Sequence, residues 1–172
     1  MTARVEQPDA PERATDRITV RRAGTADLDT VVKLRVALLR EYASHPIYGR
    51  LRPDAERHAR PLFAAQLASP LEAIFLAECA GEAVGILRCV ETQASPLLLP
   101  ERYAYVSSVY VVPAARRRGV LRALQAAAER WCRGRGLAEM RLHNVGTNDS
   151  ARGAWDALGF EVVEQVRLRH LG

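Results

Sequence analysis

The segment VYVVPAARRRGVLRALQAAAERW, residues 109–131, constrains the chain more than any other. An apolar run rich in β-branched and aromatic residues is stopped by Pro113, which cannot donate to a sheet ladder. Three arginines follow. Gly119 then opens a stretch in which Leu121, Leu124, Ala128 and Trp131 recur at helical spacing. Strand, basic turn and glycine-opened helix, in that order, put a helix N-terminus next to a strand end. Such a terminus presents unpaired backbone N–H groups and a partial positive charge, a setting that suits phosphate. Gly119 leaves room for close approach, and Arg116, Arg117, Arg118 and Arg122 add charge. The lysine of a phosphate-loop nucleotide motif is absent, and the spacing is not that of a dinucleotide fold. Taken alone, the arginine triplet reads as a solvated turn.

The rest of the chain surrounds this unit with alternating periodicities. RITVRRA (17–23) alternates apolar and charged residues and predicts a first strand. Thr25 or Asp27 can cap a helix whose apolar positions are Leu28, Val31, Val32, Leu34, Leu38 and Leu39. Two prolines and a glycine make 45–53 a loop, and 54–67 a second helix whose first half is interrupted by Pro61. AIFLAEC, a turn at Gly81-Glu82 and AVGILRCVE predict an antiparallel hairpin. Residues 94–101 form a loop with three consecutive leucines, read as folded over the core, with an apolar wall of a substrate site or a dimer contact as the functional alternative. YAYVSSVYVVP is a central strand, 119–133 a helix, AEMRLHN a strand, 149–158 a helix and FEVVEQVRLR a final strand. The fold class is α/β (α+β), a mixed sheet flanked by about four helices.

At 172 residues the chain is one domain by length, with residues 1–16 read as a loose tail and 17–172 as the domain. No apolar run reaches the ~18 residues of a spanning helix, and the first residues lack the apolar core of a signal peptide, so a cytoplasmic protein is expected. The net charge of +5 is local. Residues 113–141 carry eight arginines against two glutamates, whereas 41–101 carry five arginines against eight acids. An anion site fits this distribution better than a nucleic-acid surface. With the turn at Gly81-Glu82, Cys79 and Cys89 project from opposite faces of the hairpin and cannot be bridged. Cys132 is a small core residue, and no Cys/His cluster has zinc spacing, so no metal is expected.

The loop Arg116-Arg117-Arg118-Gly119-Val120-Leu121 resembles the pyrophosphate loop of the GCN5-related N-acetyltransferase (GNAT) family, Gln/Arg-x-x-Gly-x-Gly/Ala. A second segment is similar to the family at the same spacing: Asn148, Ala151, Trp155 and Gly159-Phe160, where the family commonly shows Asn, Ala, Tyr and Gly-Phe. The resemblance runs from ITVRRAGTADLDTVVKLR to the last strand. It implies a mostly antiparallel sheet of six or seven strands and an acetyl-CoA-dependent N-acetyltransferase. The acceptor is an amine of a small molecule or protein, attacked directly in a ternary complex, and the enzyme is a monomer or homodimer. A catalytically degenerate acyl-CoA-binding regulatory module is the alternative.

By the same resemblance, the backbone from Arg117 to Arg122 holds the pyrophosphate. Val109 and Val111 pair with the pantetheine amides, and the Val109 N–H polarises the thioester carbonyl. Asn148 and Ala151 lie along the pantetheine arm, although Asn148 reads equally as a plain N-cap. Two departures stand out. Trp155 occupies the position of the family's acidic tyrosine, and indole N–H is a donor with no useful acidity. Leu121 stands where Gly or Ala is usual. Ser107 and Ser108 occupy strand positions where acidic residues are common, which leaves His143 and Glu101 as the side chains with useful basicity, with ordered water as the other carrier. Tyr48, Arg50, Glu101, Ser107 and Asn144 are the candidate acceptor contacts.

Overall fold

The structure is a computed structural model describing residues 17–145 and 148–171; the expected tail over 1–16 lies outside that range. Its contacts divide the chain into a larger unit ending at Arg141 and a smaller one beginning at Leu142. Five strands form one sheet in the order β1-β2-β3-β4-β5, namely Thr19–Arg22, Glu72–Cys79, Glu82–Gln93, Arg102–Val111 and Met140–Leu142. The first four pair antiparallel in succession. Helix α1 is Leu28–Glu41, α2 Ala55–Ala68, α3 Val120–Gly134 and α4 Asp149–Asp156. Helix α2 runs through Pro61 without a break. No helix among the described residues is long and apolar enough to cross a membrane.

Alternation along the strands builds two cores. On one face Ile74, Leu76, Ile86 and Tyr110 pack with Val31, Val32, Leu34 and Val36 of α1 and Phe63 of α2. The opposite face carries Phe75, Leu87, Cys89 and Val106, all buried, and takes Val120, Leu124 and Cys132 of α3. Gly85 allows the closest approach of α3. A Cβ there would stand 2.9 Å from Val120 Cγ1 and 3.1 Å from Leu124 Cδ1.

Three expectations are corrected. The β2–β3 turn is Ala80-Gly81, not Gly81-Glu82: both have positive φ (52° and 81°), and Cys79 pairs with Glu82. The pairing then slips by one residue at Ala77/Glu78, and Cys89 pairs with Ala73. Cys79 and Cys89 therefore share a face. What separates them is distance, roughly 20 Å for six residues along the strand, and both thiols are free. The sheet has five strands among the described residues, not six or seven. Residues 160–169 form none, and Val162, Val163 and Val166 are exposed. A strand exists only when its backbone groups find a partner edge, and β-rich composition supplies half of that requirement.

One ion-pair cluster ties β1 to the start of α1. The Arg21 guanidinium donates to both carboxylate oxygens of Asp27 at 2.7 and 2.8 Å and to Glu78 at 2.9 Å. The Gly24 N–H adds a fourth bond at 2.8 Å. Chiefly through Arg21, the Asp27 carboxyl is held down to about 2, against ~3.9 in an unfolded chain. Because the folded value is the lower one, Asp27 stabilises the fold above pH ~4 and loses that contribution as pH falls toward 2. Arg21 is half exposed, so about 1 kcal/mol is expected after screening. Acid unfolding of Asp27→Asn should lack this increment. An unchanged stability difference between pH 7 and pH 3 would show that the cluster adds nothing.

Candidate active site

Strand β4 is irregular where its chemistry is expected. Ile86 pairs with Tyr110 and Arg88 with Ser107, so three steps on β4 match two on β3. One extra residue is inserted, and Ser108 takes φ 58°. A bulge of this kind interrupts the ladder and re-aims the backbone next to it, here at Ser108-Val109. Two residues beyond Val109 the strand ends, and a short 3-10 turn, Pro113–Ala115, leads into the arginine loop.

The loop is shaped by its backbone. Arg117 has φ 62°, and Gly119 is left-handed at φ 81°, ψ 3° as the N-cap of α3. No side chain caps α3, and a Cβ on Gly119 would meet nothing within 4 Å. Left-handed residues next to a helix start turn successive N–H groups toward one point, an anion-binding concavity. Arg117, Arg118 and Arg122 are exposed around it, Val120 is buried, and Leu121 is half-buried.

Arg116 has a different task from the other arginines. Its Nη2 grips both oxygens of Glu41 at 2.6 and 2.7 Å, and its Nε donates to the Val111 carbonyl at 3.0 Å. The Tyr110 hydroxyl donates to Glu41 at 3.2 Å as well. Burial, with the neighbouring Glu41 charge, raises the Tyr110 phenol above its ordinary range. The C-terminus of α1 thus clamps the loop, and the Arg116 guanidinium is spent on that clamp.

The α1/α2 face next to the bulge carries a second polar group. Arg88 Nε donates to Glu72 at 2.7 Å and its Nη1 to Ser107 at 3.1 Å. Arg35 reaches the same face from α1 and lies 5.8 Å from the centre of the Phe63 ring. Its charge interacts with Arg88 and with Tyr48. Tyr48 stacks on His45 at 4.7 Å, and Tyr42 stands 6.1 Å from Tyr48. Two N–H groups, of Ile47 and Tyr48, donate to His45 Nδ1 and fix this aromatic loop.

Of the expected acceptor contacts, Tyr48 and Ser107 are brought to one face; Arg50 is exposed in the α1–α2 loop. Glu101 is a correction. It precedes β4, eight residues or roughly 26 Å from Val109 along an extended strand, and cannot reach the bulge. His143 and Asn144 are exposed in the smaller unit. Within that unit Asn148 Oδ1 accepts the Ala151 N–H at 2.9 Å, the plain N-cap geometry. Trp155 is buried against Phe160, ring centres 5.2 Å apart and nearly perpendicular. Sequence reasoning missed Glu41, Arg35, Arg88 and Glu72. For Arg35 and Arg88 a signal existed, since each is a charge set among apolar positions of a helix or strand.

A sheet bulged in β4 and followed by an uncapped, glycine-opened helix defines a coenzyme-A-dependent acyltransferase. The chain belongs to the acetyltransferase (GNAT) family, whose model matches residues 36–160. It is 36% identical over 102 residues to an aminoglycoside N(6')-acetyltransferase type 1 of Klebsiella aerogenes, covering 59% of this chain and 67% of that one. A Salmonella typhimurium protein of the same name is 36% identical over 62 residues, 36% of this chain and 43% of that protein. An aminoglycoside N-acetyltransferase solved with CoA superposes with a TM-score of 0.74 at 23% identity, covering 94% and 98% of the two chains. A Clostridium acetobutylicum protein described as a predicted acetyltransferase, solved with acetyl-CoA, gives 0.73 at 17%, covering 89% and 96%. Acetyl-CoA is the cosubstrate, and the open, uncapped start of α3 fits its pyrophosphate.

Proposed function

We propose that the enzyme transfers the acetyl group of acetyl-CoA to a primary amine of a small molecule, by direct attack while both substrates are bound. The observation that carries this reading is the β4 bulge set one short turn before the glycine-opened helix. When bound, acetyl-CoA supplies an activated thioester. The N–H groups at the start of α3, with Arg117, Arg118 and Arg122, hold the negative charge of the pyrophosphate. The Val109 N–H donates to the carbonyl oxygen as charge develops on it, and the Val109–Val111 backbone orients the pantetheine amides.

Ser107 and Ser108 are not bases and Glu101 is out of reach, so water carries the proton from the attacking amine in this reading, with His143 the side-chain alternative. Trp155, at the position of the family's tyrosine, has no acidic proton to give. The sulfur therefore departs as the thiolate, which a thiol of pKa ~8.5 tolerates near neutral pH. A small-molecule acceptor is favoured by relatives named as aminoglycoside acetyltransferases.

Steady-state release of CoA across a panel of amines tests the reading. Turnover is expected for a subset, with kcat/KM rising with pH until the acceptor amine is itself neutral and no inflection near pH 6.5. Tight acetyl-CoA binding without CoA release on any amine would replace the enzyme by a binding module. A fall in kcat in His143→Gln, with acetyl-CoA affinity unchanged, would make His143 the base.

A further inference from the structure

We infer that the acceptor carries a carboxylate beside its amine and that Arg35 binds it, a specificity that rests on the acyl transfer proposed above. Arg35 lies between Leu34 and Val36, both buried in the α1/α2 core. Its Nε is shielded from solvent and has no hydrogen-bond partner. No carboxylate pairs with it among the described residues, and the ring of Phe63 is its nearest compensation. An arginine stays protonated in a protein. Burial nevertheless works against its charge, and so does the neighbouring Arg88. A partly buried guanidinium whose Nε is shielded and unpaired is unfavourable unless an anion completes it.

The protein's own carboxylate on this face is committed elsewhere. Arg88 holds Glu72 in an ion pair in which both side chains are largely buried. The remaining arm of Arg88 reaches Ser107, the residue next to the bulge. Arg35 thus lies on the α1/α2 side of the sheet, the side from which Arg88 reaches Ser107 beside the bulge. Tyr105, two residues before Ser107 on β4, stands on the same face. Guanidinium is a planar fork matched to carboxylate. A polycationic acceptor would meet two like charges here. An amino acid would place its carboxylate on Arg35 and its amine toward the bulge.

Two measurements separate this inference from the acyl transfer on which it rests. The first compares CoA release with matched pairs: L-alanine and ethylamine, L-phenylalanine and phenethylamine, γ-aminobutyrate and propylamine, with kanamycin as a polycation. The carboxylate-bearing member is expected to lead by at least about tenfold in kcat/KM. In Arg35→Met that preference should fall to about twofold or less, with acetyl-CoA affinity unchanged, and Arg35→Lys should restore part of it. The second needs no turnover. Calorimetric binding of N-acetyl-L-amino acids in the presence of CoA is compared with binding of their primary amides, in wild type and Arg35→Met. The acids are expected to bind at least about tenfold tighter in wild type alone. Absence of CoA release with this difference intact would fail the acyl-transfer reading and leave the anion site standing. Equal binding of acid and amide, a lead for the amines lacking carboxylate or for kanamycin, or a preference unchanged in Arg35→Met would overturn the inference. A purely structural Arg35 would change stability and leave all of these ratios alone.

Discussion

Replacing Gly119 by glutamate is expected to weaken acetyl-CoA binding by about 100-fold while the fold survives. Gly119 sits at φ 81°, a left-handed conformation that costs an L-residue about 1–2 kcal/mol. The added side chain meets no protein atom near its Cβ, because nothing lies within 4 Å, so no clash unfolds the chain. Its carboxylate instead stands where the phosphates must approach the N-terminus of α3. It competes for the same N–H groups and repels the ligand. Backbone cost and charge together come to about 3 kcal/mol, or ~100-fold in affinity. Gly119→Ala separates the two effects, since it carries the strain without the charge and should lose about tenfold or less. Calorimetry on both variants, with circular dichroism to confirm folding, makes the comparison. Unchanged affinity in Gly119→Glu would remove the pyrophosphate from this loop.

The parts of the molecule legible in its sequence are those that local chemistry dictates. Helix α3 shows because its apolar spacing and its terminal glycine agree. The strand before it shows because Pro113 ends a β-branched run. The hairpin turn was displaced by one residue because glycine is the expected occupant of positive φ. Here Ala80 shares that conformation with Gly81, and the pairing slip at Ala77/Glu78 follows further along. That displacement reversed the facing of Cys79 and Cys89 while leaving them unbridged.

Features that depend on distant partners were not legible. Glu41 is seventy-five residues from Arg116, and no local pattern distinguishes it from another solvated acid at a helix end. The segment 160–169 has the composition of a strand, but pairing is a property of two segments. Glu101 looked useful because it is an acid near the central strand, and the extended geometry of β4 removes it. The assignment of Arg116 to the phosphates shows the same limit. Four arginines in seven residues look alike in the sequence, and a carboxylate on α1 selects one of them for the clamp.

The seat of α3 gives the second large effect. Gly85→Leu should lower both stability and acetyl-CoA affinity, although Gly85 belongs to a strand and touches no part of the loop's arginines. The helix approaches β3 so closely that a single Cβ would stand 2.9 Å from Val120 Cγ1 and 3.2 Å from the Tyr110 carbonyl oxygen. Val120 is the first residue of α3 and is buried. A branched side chain must therefore push the N-terminal turn of the helix outward or strain β3. Overpacking of this kind costs about 3 kcal/mol, which for a chain this size lowers Tm by roughly 6–12 °C. The displaced turn is also the one that presents its N–H groups to phosphate, so affinity should fall even in the fraction that remains folded. Gly85→Ala, whose Cβ already presses on Val120 Cγ1 and the Tyr110 carbonyl oxygen, should lose about 1–2 kcal/mol and less affinity than Gly85→Leu. Thermal unfolding with and without acetyl-CoA reads both quantities in one experiment, because a ligand that binds only the native state raises Tm by an amount that grows with the logarithm of its affinity. If Gly85→Leu unfolds earlier yet is stabilised by acetyl-CoA as strongly as wild type, the packing of α3 on β3 does not position the phosphate site.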